Sequence, residues 1–303
     1  MNARAHDGHD RDVPPGYGAA FAIGIALNFA FVIVGAAAGV VGHSMALIAD
    51  AGHNLGDVLG LAVSWTAATM SRWAPTHRFT YGFRSSSIMA ALFNSVFLFV
   101  ATGAIALEAV HRFFAPVPAA GALMMAVAAL GIIVNTATAL LFLRGRKSDL
   151  NIRGAFAHMA GDAAVSAGVV MAGGLILLTH RAWIDPAASL LVCATIVAGT
   201  WTLLREAVSL TLHGVPAGID AAKVSGWLAA CPGVCAIHDL HIWPMSTTET
   251  ALTVHLVYPD GHPGDAALHA IADALHRDFA IAHATLQVEI DASADCALAD
   301  HAA

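Results

Sequence analysis

The sequence predicts an α-helical polytopic membrane protein of six transmembrane helices, followed by a smaller α+β domain. Three observations carry this reading. The 303 residues are 58% hydrophobic and 12% charged, with a mean hydropathy of +0.70, against about 25% charged residues in an ordinary soluble domain. The hydrophobicity is concentrated in residues 15 to 210, and the last ninety or so residues are polar. Within the apolar part, stretches of about the 20 residues that a helix needs to cross hydrocarbon recur six times.

These spans fall at roughly 17–41, 45–70, 86–110, 120–143, 155–179 and 184–204. The tail before them is polar and breaks at Pro14-Pro15, without the short basic stretch of a cleaved signal. The first span is therefore expected to stay. The connectors sort by charge: one set holds Arg72, Arg78, Arg84, then Arg144, Arg146, Lys147, Arg153, then Arg205, and the other only Arg112 and Arg181. Positive loops stay inside, so the first set is cytoplasmic, and Arg4 and Arg11 agree. Six spans then put both termini in the cytoplasm: a tail over 1–16, a membrane domain over 17–210 and a cytoplasmic domain over 211–303.

In that last domain, Ile219–Ala230 and Gly264–Phe279 read as helices. Ala236–Trp243, Ala251–Tyr258 and Ala284–Ile290 read as strands rich in β-branched and aromatic residues. An α-β-β-α-β order predicts helices on one face of a mostly antiparallel sheet.

Composition also excludes. A formal charge of −7 leaves no basic footprint for nucleic acid. Cys193, Cys231, Cys235 and Cys296 are too few and scattered for a disulfide framework. CPGVC has three intervening residues and is no CxxC motif, so the thiols read as reduced. Histidine is the outlier, 17 copies against 14 Lys plus Arg, which points to metal handling or pH sensing.

The second span reads ALIADAGHNLGDVLGL and the fifth GAFAHMAGDAAVSAGVV. Each places a His four residues before an Asp, His53 with Asp57 and His158 with Asp162, so each pair shares a helix face. Ionisable groups at membrane depth are costly without partners. Two pairs meeting would give the four ligands that zinc prefers. Two carboxylates and one divalent cation sum to zero charge, which removes most of the penalty for burying an ion. Protons are the natural replacement in the empty site, because metal and proton compete for the same atoms. Asp50 reads as a supporting carboxylate, and Asn28, Asn94, Asn135 and Glu108 as interhelical or boundary residues. An intramembrane hydrolase would need an open metal position and a Glu base as in HExxH. No span holds that arrangement, so the chain reads as no enzyme, with zinc as cargo and no cofactor.

SMALIADAGHNLGD, YGFRSSSIMAALFNSV, RGAFAHMAGDAAVSAGV, IDPAASLL, HDLHIW and TLQVE, in this order, resemble the cation diffusion facilitator family, and its zinc-transporting branch in particular. The resemblance implies six spans, a cytoplasmic ferredoxin-like domain, a homodimer in the lipid bilayer, and export of metal against inward protons by alternating access. It implies that His53, Asp57, His158 and Asp162 form the transport site. His at the first position implies zinc, with cadmium and cobalt as companions, since imidazole suits borderline metals. It further implies that His238, His255 and Glu289 bind metal in the cytoplasmic domain. Period-2 alternation allows one His from each adjacent strand to point to a common face. His241 is expected to project away from His238, and His269 and His283 are marginal additional ligands.

The chain departs from relatives in three places. THRFTYGF keeps only His77 where some relatives hold a His-rich site. RGRKSDLNIRG lacks the long His-rich loop of eukaryotic relatives, which with the short connectors indicates a bacterial cytoplasmic membrane. Cys296 has no second Cys after it, although His301 or the tail residues His6 and His9 could substitute. The alternative function is a membrane-anchored metal sensor acting through the His238/His255/Glu289 set.

Overall fold

The computed structural model describes the backbone of residues 17–71, 73–142 and 150–290, and their side chains except at 17–24, 61, 62, 64, 65, 67, 68, 71, 141, 142 and 150–158. The tail 1–16, Arg72, the loop residues Arg144, Arg146 and Lys147, Cys296 and His301 lie outside the described residues, as do the side chains of Arg153 and His158.

Six long helices come first: α1 (Tyr17–Val41), α2 (Met45–Ser71), α3 (Ser86–Phe114), α4 (Gly121–Phe142), α5 (Leu150–Thr179) and α6 (Ile184–Thr211). At about 1.5 Å per residue, each is long enough to cross a bilayer. Within the described residues α3 to α6 are also apolar enough, and α1 contributes the shorter apolar stretch Ile25–Val41. Asp50, His53, Asn54 and Asp57 dilute the hydropathy of α2. Three helices outrun their expected spans. Helix α3 continues to Phe114 through Glu108 and Arg112, whose Nε donates to Glu108 Oε1 at 2.9 Å. Helix α5 begins at Leu150, and α6 passes Arg205 to bury Ala207 and Leu210 before ending at Thr211. Hydropathy marks where lipid ends, whereas backbone hydrogen bonding continues past it.

The chain forms two compact units that cut across the helices. The first comprises α1, α2 as far as Leu59, and Leu98–Ala198. Its core includes Phe31, Leu47, Leu98, Met124, Val127, Val169, Ile176 and Val192. Small residues let the helix axes approach, the usual means of packing between spans. A Cβ on Gly56 would lie 2.6 Å from Leu98 Cδ1, and one on Gly131 2.7 Å from Phe31 Cζ and 2.9 Å from Ser166 Oγ. Gly52 and Gly56, which seat α3, sit about 100° around α2 from His53 and Asp57. The contact with α3 therefore fixes the rotation at which His53 and Asp57 are presented elsewhere.

The second unit comprises Gly60–Phe97 and everything from Gly199. It contains a layer made of α7 (Ala221–Ala229), β1 (Ala236–Pro244), β2 (Thr250–Val257), α8 (Asp265–Phe279) and β3 (Ile281–Glu289), the expected order and the ferredoxin-like arrangement. Asp220 caps α7, accepting from Ala222 N at 3.1 Å and Lys223 N at 3.2 Å, as an N-cap should. The sheet order is β1-β2-β3. The expectation of a mostly antiparallel sheet gives way to one antiparallel pair, β1 with β2, and one parallel pair, β2 with β3. The cause is α8, which returns the chain to β2's direction before β3 begins. Leu252, Val254 and Leu256 of β2 pack with Val224, Leu228, Ile271 and Leu275 of the two helices. That leaves the face carrying Thr253 and His255 without helices of this layer. The same unit ties the α2–α3 connector to the β1–β2 hairpin: Arg84 Nη1 meets Glu249 Oε2 at 2.7 Å, and Ser85 Oγ donates to Met245 O at 3.2 Å.

Candidate metal centre

The i, i+4 spacing in α2 puts His53 and Asp57 on one face, and α5 brings Asp162 against them. His53 Nε2 stands 3.3 Å from Asp162 Oδ1 and 3.6 Å from Asp57 Oδ2. One ligand atom from each of the three lies within 4.8 Å of the others. Bonds of about 2.0–2.1 Å at tetrahedral angles separate ligand atoms by about 3.4 Å. The two separations from His53 are close to that value, and the third ligand atom stands within 4.8 Å. Burial is graded: the side chain of Asp162 is 4% exposed, His53 16% and Asp57 23%.

His158 lies on the same unbroken helix one turn before Asp162, on the same face by helical spacing. Its side chain is outside the described residues. Asp50 is fully buried one turn from His53, and Asn54 Nδ2 donates to Asp50 O at 2.8 Å. Asn28, expected as an interhelical residue, turns its amide toward Met159 Sδ at 3.8 Å.

The second group is in the α+β layer. Antiparallel register pairs His238 with His255, and parallel register puts Glu289 beside Val257 on the next strand. Glu289 bridges both imidazoles, with Oε2 2.9 Å from His238 Nε2 and Oε1 2.9 Å from His255 Nδ1. The three offer ligand atoms within 4.8 Å of one another. A cation held between the three would replace the hydrogen bonds that Glu289 now makes to the two imidazoles. This N2O set fits zinc.

The expectation for His241 needs correction. The register shifts between His238 and His241, so that His241 pairs with Thr253, two residues from His255 on β2. A bulge adds one residue and restores the side-chain parity. His241 therefore projects to the same face as His238. Its Nε2 lies 3.0 Å from Asp239 Oδ1, whose other oxygen is 3.4 Å from His255 Nε2. Asp239 was not anticipated. It sits in the bulge at φ 52°, a conformation Asp tolerates better than most residues, and a strand pattern read from alternation alone gives no sign of it. His283, on the same face of β3, makes an edge contact with Tyr81 at a centroid distance of 5.7 Å. His77 and His269 are exposed, and neither belongs to a metal-holding group among the described residues.

A helical membrane bundle with a buried imidazole–carboxylate group between two spans, carrying an α+β layer with a second such group, defines a protein that handles cations in a membrane. The comparisons with known proteins narrow that class. The model of the cation efflux transmembrane domain matches residues 21–211, and that of the cation efflux protein cytoplasmic domain matches 216–291. The chain is 34% identical over 296 residues to the metal cation efflux system protein CzcD of Cupriavidus metallidurans, covering 97% of this chain and 93% of that one. It is 35% identical over 272 residues to the zinc transporter ZitB of Escherichia coli, covering 89% and 86%. It is 31% identical over 267 residues to the cadmium, cobalt and zinc/H(+)-K(+) antiporter of Bacillus subtilis, covering 86% of each. Among solved structures, the metal-bound C-terminal domain of the CzcD transporter from Cupriavidus metallidurans is 36% identical, covering 23% of this chain and 99% of that one, with a TM-score of 0.22. The chain belongs to the cation diffusion facilitator family of membrane transporters.

Proposed function

We propose that this protein exports zinc from the cytoplasm in exchange for protons, by alternating access, through a site made of His53, Asp57, His158 and Asp162. The observation that carries the reading is the meeting of His53, Asp57 and Asp162 between α2 and α5, with ligand atoms within 4.8 Å of one another. Relatives named for zinc, cadmium and cobalt transport support the choice of metal, and cadmium and cobalt are expected as secondary substrates.

The distribution of basic connectors supports an orientation with the N-terminal end of α2 outside and its C-terminal end in the cytoplasm. Asp57 is then the inner residue of the pair, and the more exposed one. A cation arriving from the cytoplasm meets Asp57 first, then His53, then the sealed Asp162. Ligation displaces protons from the imidazoles and carboxylates. Release on the outer side lets protons from that side take the vacated atoms, and their return inward resets the site. With two carboxylates balanced by one divalent cation, the loaded site crosses the low-dielectric interior without net charge.

His238, His255 and Glu289 constitute a regulatory zinc site, and the α+β domain pairs two copies of the chain into a homodimer. The cytoplasmic-domain match, whose model is a dimer module, supports the pairing. The protein sits in a bacterial cytoplasmic membrane with both termini inside.

The test is zinc flux in proteoliposomes with an imposed pH gradient. Flux that follows the gradient and disappears in Asp57→Ala and Asp162→Ala is expected; undiminished flux in both variants refutes the assignment. If instead only the cytoplasmic group binds zinc and no flux occurs, the protein is a membrane-anchored sensor.

A further inference from the structure

The turn between α1 and α2 is held by three other spans. Ala120 N, at the start of α4, donates to Gly42 O at 2.9 Å. Arg112 Nη1, at the end of α3, donates to His43 O at 3.0 Å. From the first turn of α6, Asp185 takes three bonds: Ser44 Oγ at 2.6 Å, Met45 N at 2.7 Å and Ala46 N at 3.3 Å. Ser44 Oγ in turn accepts from Leu47 N at 3.2 Å. Ser44 and Asp185 are each 1% exposed.

The first four N–H groups of any helix lack partners within it. In α2 the preceding Ser44 satisfies one, as sequence-local caps do. Two more are satisfied by a carboxylate 139 and 140 positions away in the chain. A negative group also complements the positive end of the helix, and charge-assisted bonds of this length are the strong kind. Ser189 Oγ adds a longer bond to Met45 O at 3.4 Å. Helix α6 is thus fastened to the beginning of the helix that carries half of the candidate cation site.

We propose that Asp185 is a positioning residue for that site: by tying α6 to the N-terminal end of α2, it sets the depth and rotation at which His53 and Asp57 meet Asp162. The inference rests on the transport-site reading above. His53 is eight residues beyond Met45, about 12 Å along one straight helix, so a slide or twist at the tie is transmitted to the ligands. Metal sites tolerate only about 0.2 Å in ligand distance. Loosening the tie therefore acts on affinity and on discrimination by ion size.

The experiment is concentration-dependent zinc and cadmium uptake by full-length protein in proteoliposomes, normalised to reconstituted protein. Asp185→Asn keeps the size but must turn an amide NH₂ toward a donor. The expected result is an increase of about tenfold in the half-saturating zinc concentration, the scale on which partners outside the ligand shell act. The zinc-to-cadmium ratio also moves toward the larger ion. Ser44→Ala, which removes one of the three bonds, shifts both readouts in the same direction by about threefold, and it decides the matter alone if Asp185→Asn fails to reach the membrane. A role confined to folding lowers the maximal rate and leaves half-saturation and the metal ratio as in the parent; that outcome overturns the proposal. Asp57→Ala run in parallel separates the two readings: flux retained there refutes the transport site, whereas flux lost there with unaltered constants in the tie variants refutes only the role of Asp185.

Discussion

His53 is closer to a carboxylate on another span than to the one on its own: Nε2 lies 3.3 Å from Asp162 Oδ1 on α5 and 3.6 Å from Asp57 Oδ2 on α2. The imidazole is held between two helices, so the three side chains meet only while α2 and α5 keep their relative register. On the proposed function, such a geometry would tie cation binding to helix position, as alternating access requires.

Removing Asp162 should damage binding more than removing any partner outside the ligand set. Loss of an outer partner costs about tenfold to a hundredfold in metal affinity; a direct, nearly sealed ligand should cost about a hundredfold or more. Calorimetric titration of zinc into purified Asp162→Asn, beside the unaltered protein, measures this. Binding within a factor of a few of the parent would remove Asp162 from the set.

Acid should weaken zinc binding, and the sign follows from the ligands. Metal binds neutral imidazole and ionised carboxylate, so every proton those atoms hold must leave first. Lowering the pH fills the atoms with protons, and affinity falls by about tenfold per pH unit for each proton displaced. Titrations between pH 8 and pH 6, repeated in buffers of different ionisation enthalpy, give the proton count directly. An affinity independent of pH would deny the competition on which antiport depends.

Packing at Gly56 should be as sensitive as the ligands themselves. A Cβ there would be 2.6 Å from Leu98 Cδ1. Gly56→Ala can be met by a rotation of the leucine, but Gly56→Val adds two methyl groups against α3. Overpacking of this kind costs about 1–3 kcal/mol, and it would also turn α2. The expected outcome is a lowered unfolding temperature for Gly56→Val in detergent, with weaker zinc binding among the molecules that remain folded. Stability equal to the parent's would mean that α3 does not set the rotation of α2.

The grouping of His53, Asp57 and Asp162 was legible because its signal is chemical and local. A His and an Asp four residues apart in an apolar stretch are too costly at membrane depth to persist without a cation or a polar partner, and the shared face of His53 and Asp57 follows from helical spacing alone. Gly52 and Gly56 could also have been found, since four-residue spacing of small residues in a span marks helix contact. Asp185 could not be assigned its partners, because a carboxylate at the start of one span gives no sign that it caps another. In the α+β layer, alternation correctly put His238 and His255 on facing strands. It failed at His241, because a bulge shifts parity by one residue and is encoded by backbone conformation at Asp239 rather than by any pattern of hydrophobicity. The parallel pairing of β3 was missed for a related reason: strand direction is set by the α8 crossover, a property of the path between strands.

Glu289 should control the response of the cytoplasmic domain to zinc. Its two oxygens face His238 Nε2 and His255 Nδ1, each at 2.9 Å, so one carboxylate holds both imidazoles in ligand position before any cation arrives. Glu289→Gln replaces one acceptor with a donor and removes the charge, which leaves two histidines without an anionic partner from β3. Asp239, 3.4 Å from His255 Nε2, still orients His255 but reaches it from the opposite side of the ring. A ligand that binds only the folded protein stabilises it by about 2.7 kcal/mol at a hundredfold excess over its dissociation constant. In the unaltered protein, zinc should therefore raise the unfolding temperature and chelator should reverse the rise. In Glu289→Gln most of the shift should be lost, whereas in Asp162→Asn the part owed to the cytoplasmic group should persist. Thermal unfolding of the three full-length proteins in detergent, with zinc and with chelator, checks this. An undiminished zinc response in Glu289→Gln would show that the bridge serves the sheet and not a cation.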